Sequence, residues 1–280
     1  MDQPRAYDVI TVGSATEDIM IEVDSAKVIT IEDINGSRSY MALEYGGKMH
    51  VDSIIVSVGG GGVNTAMTFA LQGLTTAVVS KVGRDDGAHR VRNRLTEAGA
   101  CAHLLADSAD HSTGYSTIIT SYSGERTVLV HRGASRELCA EDLDWDEMAK
   151  TQWLYVGALA GNSWRLYPLL AEFARDHGIK LALNLGTSQI ARGLDDFAEI
   201  LSCANLLFQN AEEMQTLTGV PPERGDRDER EMMRQLHDVG VDVVVITDGT
   251  RGAAASDGST LYVVPAFEVE AACSLGAGDA

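Results

Sequence analysis

The sequence contains no long apolar run and no paired cysteines. No stretch approaches the roughly 20 apolar residues needed to cross a bilayer, and the opening residues lack the apolar core of a signal peptide. The cysteines are scattered, without a C-x-x-C pair or a histidine at metal-ligand spacing, so we expect no structural zinc and buried, reduced thiols at Cys101, Cys139, Cys203 and Cys273. These absences predict a cytoplasmic protein without a membrane partner.

Positive charge is also scarce. The chain has 22 lysines and arginines against 41 aspartates and glutamates, which gives a formal net charge of -19. Contacts to nucleic-acid phosphates or anionic lipids need clustered basic residues, so we expect neither partner. With 45% hydrophobic residues and only 5 prolines, the 280 residues can instead build a substantial globular core. The predicted partner is a small molecule.

Short apolar runs alternate with segments of helical periodicity along most of the chain. This alternation is typical of an α/β fold with a doubly wound, mostly parallel sheet. The predicted strands are Tyr7–Gly13, Thr76–Val82, Trp153–Val156, Leu181–Leu185, Asn205–Gln209 and Val241–Thr247. The predicted helices are Val63–Leu71, Val91–Ala98, Arg165–Arg175 and Glu229–His237.

Two segments, approximately 19–58 and 113–131, contain predicted strands without intervening helices. The second predicts a hairpin that turns at Ser123–Gly124. We expect the two segments to form a small antiparallel β lid over a cleft at the carboxyl ends of the parallel strands. Residues 1–280 are thus predicted to form one domain with a lid built from strands.

Four successive glycines, Gly59 to Gly62, separate a predicted strand from a predicted helix. Glycines there let the backbone turn sharply and approach a ligand closely, and the nearby Asn64 can both donate to and accept from hydroxyl groups. A tight strand-to-helix connection explains part of the run, but four glycines exceed what a turn requires. The run is not a dinucleotide fingerprint, because a G-x-G-x-x-G frame fails at Asn64 or Thr65.

Asp18 follows the first strand, where a chain leaving the sheet overlooks the predicted cleft. A carboxylate can accept two hydroxyl hydrogen bonds at once, which suits a polyol ligand. A solvated loop acid explains this stretch almost equally well. The neighbouring Glu17 is the less favoured candidate.

Asn210 and Glu213 come after another apolar strand and begin a helix. Their spacing satisfies a capping box, and taken alone this explanation is the better one. The functional alternative is that both side chains face the cleft and hold a hydrated Mg²⁺ beside phosphates. Further along, Thr247, Gly249 and Gly252 end the most hydrophobic strand, where they fit a hairpin, a close approach of a nucleotide, or both.

The last motif is G-A-G-D, Gly276 to Asp279. Exposed N–H groups of Gly276, Ala277 and Gly278 at a helix start would form an anion site. A carboxylate beside such a site can accept a proton from an attacking hydroxyl while the backbone donors stabilise a transferring phosphoryl group. Alternatively, Asp279 only interacts favourably with the helix dipole, an interaction worth about 0.5 kcal/mol. This would explain the acid but not both glycines.

Together these residues resemble the ribokinase-like (PfkB) family of carbohydrate and nucleoside kinases. Gly60–Ala66 with Gly73 and Gly83 match every position of the family's first signature. Ser274–Asp279 match its second signature, whose first position, Cys273 in this chain, is the exception. The matching motifs, in the family's order, are Gly60–Ala66 with Gly73 and Gly83, Asn210–Glu213, Thr247–Gly252 and Ser274–Asp279. Four motifs in order are far more specific than any one of them, and the likeness runs from about Tyr7 to Ala280.

The resemblance implies ATP-dependent transfer of the γ-phosphoryl group to an alcohol, with Asp279 as general base and Gly276, Ala277 and Gly278 as the anion hole. The implied ligands of the sugar or nucleoside acceptor are Asp18, Gly59, Gly60, Gly61 and Asn64. The implied ligands of the nucleotide are Asn184, Asn210, Glu213, Thr247, Gly249 and Gly252, with Asn210 and Glu213 ordering Mg²⁺ through water. The lid would close over the acceptor and exclude water, and the family also allows a homodimer through the lid.

Two departures from the family pattern have consequences. Cys273 stands where the second signature usually begins with an acid, often a ligand of a monovalent cation, so potassium activation is in doubt. Family members also continue past G-A-G-D through helices that complete the adenine pocket, and an isolated helix needs about 12 residues. We therefore expect a fragment of a longer kinase or an incomplete nucleotide site, with Gly276 to Ala280 poorly held and weak ATP turnover.

Other functions fit the sequence less well. A catalytically silent relative would bind a sugar or nucleoside without phosphorylating it. A nicotinamide-dependent oxidoreductase would need the G-x-G-x-x-G spacing, which the glycine run at 59–62 does not have. A P-loop kinase would need G-x-x-x-x-G-K-[ST], but the G-G-K at 46–48 is followed by Met49. The acceptor is not specified, because the lid residues that select it, such as Tyr40, Met41 and Arg132, cannot be placed from sequence.

Overall fold

The computed structural model describes residues 5–23, 25–33, 36–51, 53–121, 126–221 and 227–268. The strands in these ranges are β1 (Tyr7–Val12), β2 (Thr16–Val23), β3 (Lys27–Asp33), β4 (Gly36–Ala42), β5 (Ser53–Gly59), β6 (Thr76–Val82), β7 (Leu105–Asp107), β8 (Gly114–Ser121), β9 (Arg126–His131), β10 (Thr151–Val156), β11 (Lys180–Leu183), β12 (Leu206–Asn210), β13 (Val243–Thr247), β14 (Ala253–Ser256) and β15 (Leu261–Val264). The helices are α1 (Gly61–Leu71), α2 (Asp86–Ala98), α3 (Trp145–Met148), α4 (Leu166–Asp176), α5 (Thr187–Ile190), α6 (Leu194–Leu201), α7 (Ala211–Thr218) and α8 (Arg227–Val239). None of these described helices is long and apolar enough to cross a membrane.

Within the described ranges, nine strands form a large sheet in the order β15-β14-β13-β12-β11-β10-β1-β6-β7. Neighbours from β13 to β7 pair in parallel, and β14 and β15 add antiparallel strands at one edge. The order reverses at β1, which has β10 on one side and β6 on the other. In a doubly wound sheet this reversal opens a crevice at the carboxyl ends of the strands, where ligands bind. The predicted α/β fold is confirmed.

The central strands of the large sheet, such as β1, β6 and β10, are buried along most of their length, as expected for parallel strands covered by helices. Leu154 and Val156 of β10 are fully buried in the main core, together with Leu170 of α4 and Leu183 of β11. The six predicted strands and the four predicted helices are all present; Thr76–Val82 has the predicted ends, and the others are shifted at one or both ends. Helix α6 is not among the predicted helices, because its two turns are too short for its apolar period to be distinct from a loop.

A second, smaller sheet, the lid sheet, has the strand order β5-β2-β8-β9 in the described part of the chain. It is built from the two segments predicted to form the lid, although β2 begins earlier than expected, at Thr16. The outer pairs, β2–β5 and β8–β9, are antiparallel, whereas β2 and β8 are parallel because both leave the carboxyl edge of the large sheet and run outward. The predicted hairpin turn at Ser123–Gly124 lies outside the described residues. Strands β3 and β4 form a separate antiparallel pair.

The prediction of buried cysteines is wrong for the three that are described. Cys101 and Cys203 are half-buried, and Cys139 is exposed in a turn. The Cys139 thiol lies 3.1 Å from the Asp142 carboxylate, and partial burial together with this hydrogen bond raises the pKa of the thiol to about 11. The short polar turn around Cys139 cannot pack into the core, which composition alone does not reveal. Cys273 lies outside the described residues.

Candidate active site

Three clefts open along the carboxyl edge of the large sheet. The lid cleft, of about 380 Å³, lies between the lid sheet and the start of α1. The central cleft, of about 890 Å³, follows the ends of β10 and β11. The hairpin cleft, of about 700 Å³, lies beside the β13–β14 hairpin and the end of β12.

Neighbouring clefts share wall residues, so the three lie side by side along this edge, and we call them together the trench. Val130 and Arg132 line both the lid cleft and the central cleft. Asn184 and Glu213 line both the central cleft and the hairpin cleft. Two ligands, one bound in the lid cleft and one in the hairpin cleft, would therefore face each other across the central cleft.

Asp18 lies on β2 and faces the lid cleft, so it belongs to a strand rather than to a loop. In the lid sheet its register partners are Ser57 on β5 and Ser116 on β8, which puts the three side chains on one face. All three line the lid cleft. Thr16 donates a hydrogen bond of 3.1 Å to Oδ1 of Asp18, which helps to fix the carboxylate. This cluster can bind several hydroxyl groups.

Gly59, opposite Thr16 in the register of β2 and β5, makes room for the Asp18 carboxylate. A Cβ atom at position 59 would clash with Oδ2 of Asp18. A side chain at position 59 would therefore displace the Asp18 carboxylate from its observed position. The structure explains Gly59 by this close approach, and it is not among the residues that line the lid cleft.

The next glycines pack against the turn after β1. Gly60 has a φ of 94°, and a Cβ there would lie 2.5 Å from the Ser14 carbonyl oxygen. The N–H of Gly61 donates to Ser14 Oγ at 3.1 Å, and the N–H of Gly62 donates to the Ser14 carbonyl at 3.1 Å. Gly60 and Asn64 line the lid cleft, whereas the N–H of Gly61 is already bonded within the chain.

Glu17 points to the opposite face of the lid sheet from Asp18. Its carboxylate is largely buried and forms a 2.8 Å ion pair with Arg90 of α2. The preference for Asp18 over Glu17 agrees with this alternation, which is the side-chain period of a strand.

Asp85, directly before α2, ties this helix to the start of β8. Its carboxylate accepts hydrogen bonds from the Ala88 N–H at 2.9 Å, the Thr113 N–H at 2.8 Å and Thr113 Oγ1 at 2.6 Å. Burial alone would raise the pKa of this carboxyl, but the hydrogen bonds from Thr113 and Ala88 outweigh burial and hold the pKa below its usual range. The lid sheet is thus anchored to the large sheet at the base of β8.

Asn184 follows β11 and is oriented by Gln209, which is 1% exposed. The Asn184 amide nitrogen donates to the Phe208 carbonyl at 2.8 Å and to Gln209 Oε1 at 2.6 Å. Gln209 in turn donates from Nε2 to the Leu185 carbonyl at 2.8 Å. The backbone carbonyls fix which end of each amide is nitrogen, so both amide hydrogens of Asn184 are used and Oδ1 remains for the trench.

Asn210 and Glu213 form the capping box that their spacing predicts. Asn210 Oδ1 accepts from the Glu213 N–H at 2.8 Å, and the Asn210 N–H donates to Glu213 Oε2 at 3.1 Å. Both residues also line the hairpin cleft. The described residues contain no cluster of three or more metal-ligating side chains.

The β13–β14 hairpin supplies the far wall of the trench. Thr247 ends β13, and Thr247, Gly249 and Gly252 all line the hairpin cleft. The hairpin alternative and the ligand-facing alternative are therefore compatible at these positions. Phe208 and Phe267 add apolar surface to the same cleft, which suits a flat ring.

The sequence matches the model of the pfkB family of carbohydrate kinases over residues 25–280. The chain belongs to this family. This pfkB kinase is 30% identical over 227 residues to a protein named deoxyribokinase from Salmonella typhi. The alignment covers 80% of this chain and 72% of the deoxyribokinase. It is 24% identical over 237 residues to the ATP-dependent ribose-1-phosphate kinase of Halopiger xanaduensis, covering 85% and 75% of the two chains.

The fold of this pfkB kinase is similar to that of Arabidopsis thaliana ribokinase, solved in complex with ribose and ATP. The TM-score is 0.79 at 20% sequence identity, covering 98% of this chain and 83% of the ribokinase. The protein is therefore a ribokinase-like carbohydrate or nucleoside kinase by family and fold.

Some residues of the trench were not found from the sequence. Ser57, Ser116 and Gln209 carry no motif, and only the alternation and pairing of their strands would have indicated them. Arg132 lines two clefts, whereas Tyr40 and Met41 on β4 line none of the three. The predicted base and anion hole, Asp279 with Gly276, Ala277 and Gly278, lie outside the described residues.

Proposed function

We propose that this pfkB kinase transfers the γ-phosphoryl group of ATP to a hydroxyl of a sugar, a sugar derivative or a nucleoside. The row of adjoining clefts along one edge of the large sheet is the observation that supports this function best. Its lid end offers hydroxyl-binding groups at Asp18 and Asn64, and its hairpin end offers Asn184, Glu213 and Thr247. The relatives named above differ in acceptor, one being named for deoxyribose and the other for ribose 1-phosphate.

In this proposal Asp18, Asn64 and the backbone at Gly60 orient the acceptor, while Gly59 and Gly61 shape the wall behind them by packing against Asp18 and Ser14. Asp279 takes the proton of the reacting hydroxyl as its oxygen forms a bond to the γ-phosphorus and the bond from that phosphorus to ADP breaks. The N–H groups of the segment 276–278 stabilise the charge on the transferring group. The lid sheet excludes water, which would otherwise compete with the acceptor.

The nucleotide occupies the hairpin cleft, against Asn184, Asn210, Thr247, Gly249 and Gly252. Glu213 and Asn210 hold Mg²⁺ through water, and the ion, when bound, neutralises charge on the phosphates. The Glu213 carboxylate suits this role because it lines both the central and hairpin clefts, so it borders the place where phosphates would lie. The proposal treats residues 1–280 as one kinase domain whose lid segments are 19–58 and 113–131.

A screen of pentoses, hexoses, sugar phosphates and nucleosides with Mg-ATP tests this function directly. Asp279→Asn should lower kcat by about 10²- to 10⁴-fold and leave calorimetric binding of the acceptor nearly unchanged. Asp18→Asn should weaken that binding. Glu22→Gln is the matched control, because Glu22 lies on the same strand, is exposed and bonds Ser53 rather than lining a cleft. Binding without phosphorylation would indicate a silent relative and contradict the kinase proposal.

We also propose that two copies associate through the lid sheet. Apolar side chains are exposed on both of its faces, at Ile54, Ile55, Val56, Val128 and Leu129. Monomers rarely expose contiguous apolar patches of this kind unless a partner covers them. Light scattering should give a dimer mass, and Leu129→Lys should shift it toward the monomer. A monomer at every concentration would contradict this arrangement.

A further inference from the structure

Arg132 is an exposed arginine in the wall of the trench. Among the described residues, its guanidinium group has no hydrogen-bond or ion-pair partner, although the chain carries a net charge of -19 and so has many spare carboxylates. The nearby Arg136 is by contrast paired with Glu137 at 3.2 Å. The Arg132 guanidinium is therefore available to an anion that comes from outside the chain.

The backbone that carries Arg132 is firmly held. The residues that follow it, 133–135, are buried, and the Ala134 N–H donates to the Ser112 carbonyl at 2.7 Å. Ser135 Oγ donates to the Ala15 carbonyl at 3.1 Å, which links this turn to the loop between β1 and β2. The arginine thus starts from a fixed point, which reduces the entropy lost when it binds a ligand.

Arg132 projects on the same side of the lid sheet as Asp18. Val130 on β9 is paired with Ser116 on β8, and Ser116 is paired with Asp18 on β2, so these three share a face. Arg132 follows β9 directly and lines the lid cleft together with Val130, Ser116 and Asp18. Strands β9 and β2 are separated by one strand, about 10 Å between backbones, so one small molecule can contact both side chains.

We propose that Arg132 binds an anionic group of the acceptor, so that the substrate is a phosphorylated or carboxylated sugar rather than a neutral one. This inference rests on the proposed kinase function. Asp18 binds hydroxyl groups at one end of the lid cleft, and Arg132 binds the anion where this cleft opens into the central cleft. The guanidinium fork matches the two oxygens of a phosphate or a carboxylate, which makes Arg132 a specificity-determining residue.

An alternative role for Arg132 is to contact the phosphoryl group that ATP transfers, since the residue also lines the central cleft. The two roles predict different substrate dependence. A residue that binds the acceptor's anion matters only for anionic acceptors. A residue that stabilises the transferred group matters equally for all of them.

The test compares pairs of acceptors that keep the same sugar ring and differ in one anionic group: ribose with ribose 5-phosphate, ribose with ribose 1-phosphate, and glucose with glucuronate. The wild type should prefer the anionic member of at least one pair. Arg132→Gln should lower kcat/KM for that member by about 10- to 100-fold, mainly through KM, and change the neutral member little. Arg132→Lys should recover part of the loss, because it keeps the charge but not the fork. The KM for ATP should stay unchanged.

Arg165→Gln is the matched control, since Arg165 is exposed, has no ion-pair partner in the described ranges and lines none of the three clefts. Equal losses for neutral and anionic acceptors, or a wild-type preference for the neutral member of every pair, would overturn the proposal. Calorimetry with ribose 5-phosphate and ribose, without nucleotide, separates this question from the kinase function. If no acceptor is phosphorylated, binding that favours the anion and is lost in Arg132→Gln still supports the role of Arg132.

Discussion

Apolar residues are buried in the central strands of the large sheet and exposed in the lid sheet. Leu154 of the large sheet is 0% exposed under its covering helices, whereas Ile54 of the lid sheet is 60% exposed. The large sheet therefore supplies the stability and the rigid edge on which the trench is built. The lid sheet supplies few buried contacts and contributes to the site through single polar side chains such as Asp18, Ser57 and Ser116, with Arg132 directly after its last strand. Stability and specificity are thus expected to respond to mutations in different sheets.

The largest expected difference between the two sheets is in stability. Leu154→Ala should lower the free energy of unfolding by about 2–5 kcal/mol, because it leaves a cavity in the main core. Ile54→Ala should change it by no more than about 0.5 kcal/mol in dilute solution. Urea denaturation of both variants measures this. Similar losses would contradict the comparison, and a loss for Ile54→Ala that grows with protein concentration would indicate association through the lid.

A methyl group at position 59 should damage the lid end of the trench without unfolding the chain. Gly59→Ala displaces the Asp18 carboxylate, so we expect kcat/KM for the acceptor to fall by about 10- to 100-fold. The Asp18 side chain can move, so the melting temperature should change little. In the background of Asp18→Ala the same methyl should cost almost nothing more. Fully additive losses would show that Gly59 acts independently of Asp18.

At the other end of the trench, Gln209→Leu should act through Asn184. The change removes the acceptor for one amide hydrogen of Asn184 and leaves the Leu185 carbonyl without its donor, at a cost of about 1–2 kcal/mol in stability. Freed from Gln209, Asn184 loses its fixed orientation, and the KM for ATP should rise. The KM for the acceptor should not change. A rise in both constants would indicate general damage rather than a positioning role.

The smallest expected effect concerns the joint between the sheets. Asp85→Asn should lower stability by about 1 kcal/mol near neutral pH, because the charged form of Asp85 accepts the hydrogen bonds from Thr113 and Ala88. The folded-state pKa of Asp85 is lowered, so its contribution is present above the ordinary aspartate pKa of about 3.9 and is lost as the pH falls through the lowered value. The difference between variant and wild type should therefore close in strong acid.

Asp86→Asn is the control for this pH dependence, since Asp86 is exposed in the first turn of α2. Denaturation curves from neutral pH to strong acid measure both variants. A gap between Asp85→Asn and the wild type that stays constant with pH would show that the charge of Asp85 is not responsible.

The sequence predicted the two sheets unequally well, for a physical reason. Strand ends that carry motifs, such as Asn210 with Glu213, were found because local spacing is enough to specify a cap or a turn. The side chains that share a face with Asp18 were not found, because cross-strand register depends on the pairing of distant segments. Gln209 was missed for a similar reason. Its hydrogen-bond partners, Asn184 and the Leu185 carbonyl, follow the neighbouring strand and cannot be identified before the two strands are paired.

The hydrogen bond between the Asn184 and Gln209 amides has a further consequence for the proposed nucleotide site. With its donors consumed, Asn184 presents only a partial negative charge, so it would repel a bare phosphate oxygen and attract a group that brings its own hydrogen. A ribose hydroxyl, an exocyclic amine or a water on a divalent cation satisfies that demand. In the proposed kinase the phosphates would then be bound by other groups along the trench. Asn184 would contact them only through a water molecule or another hydrogen-bond donor.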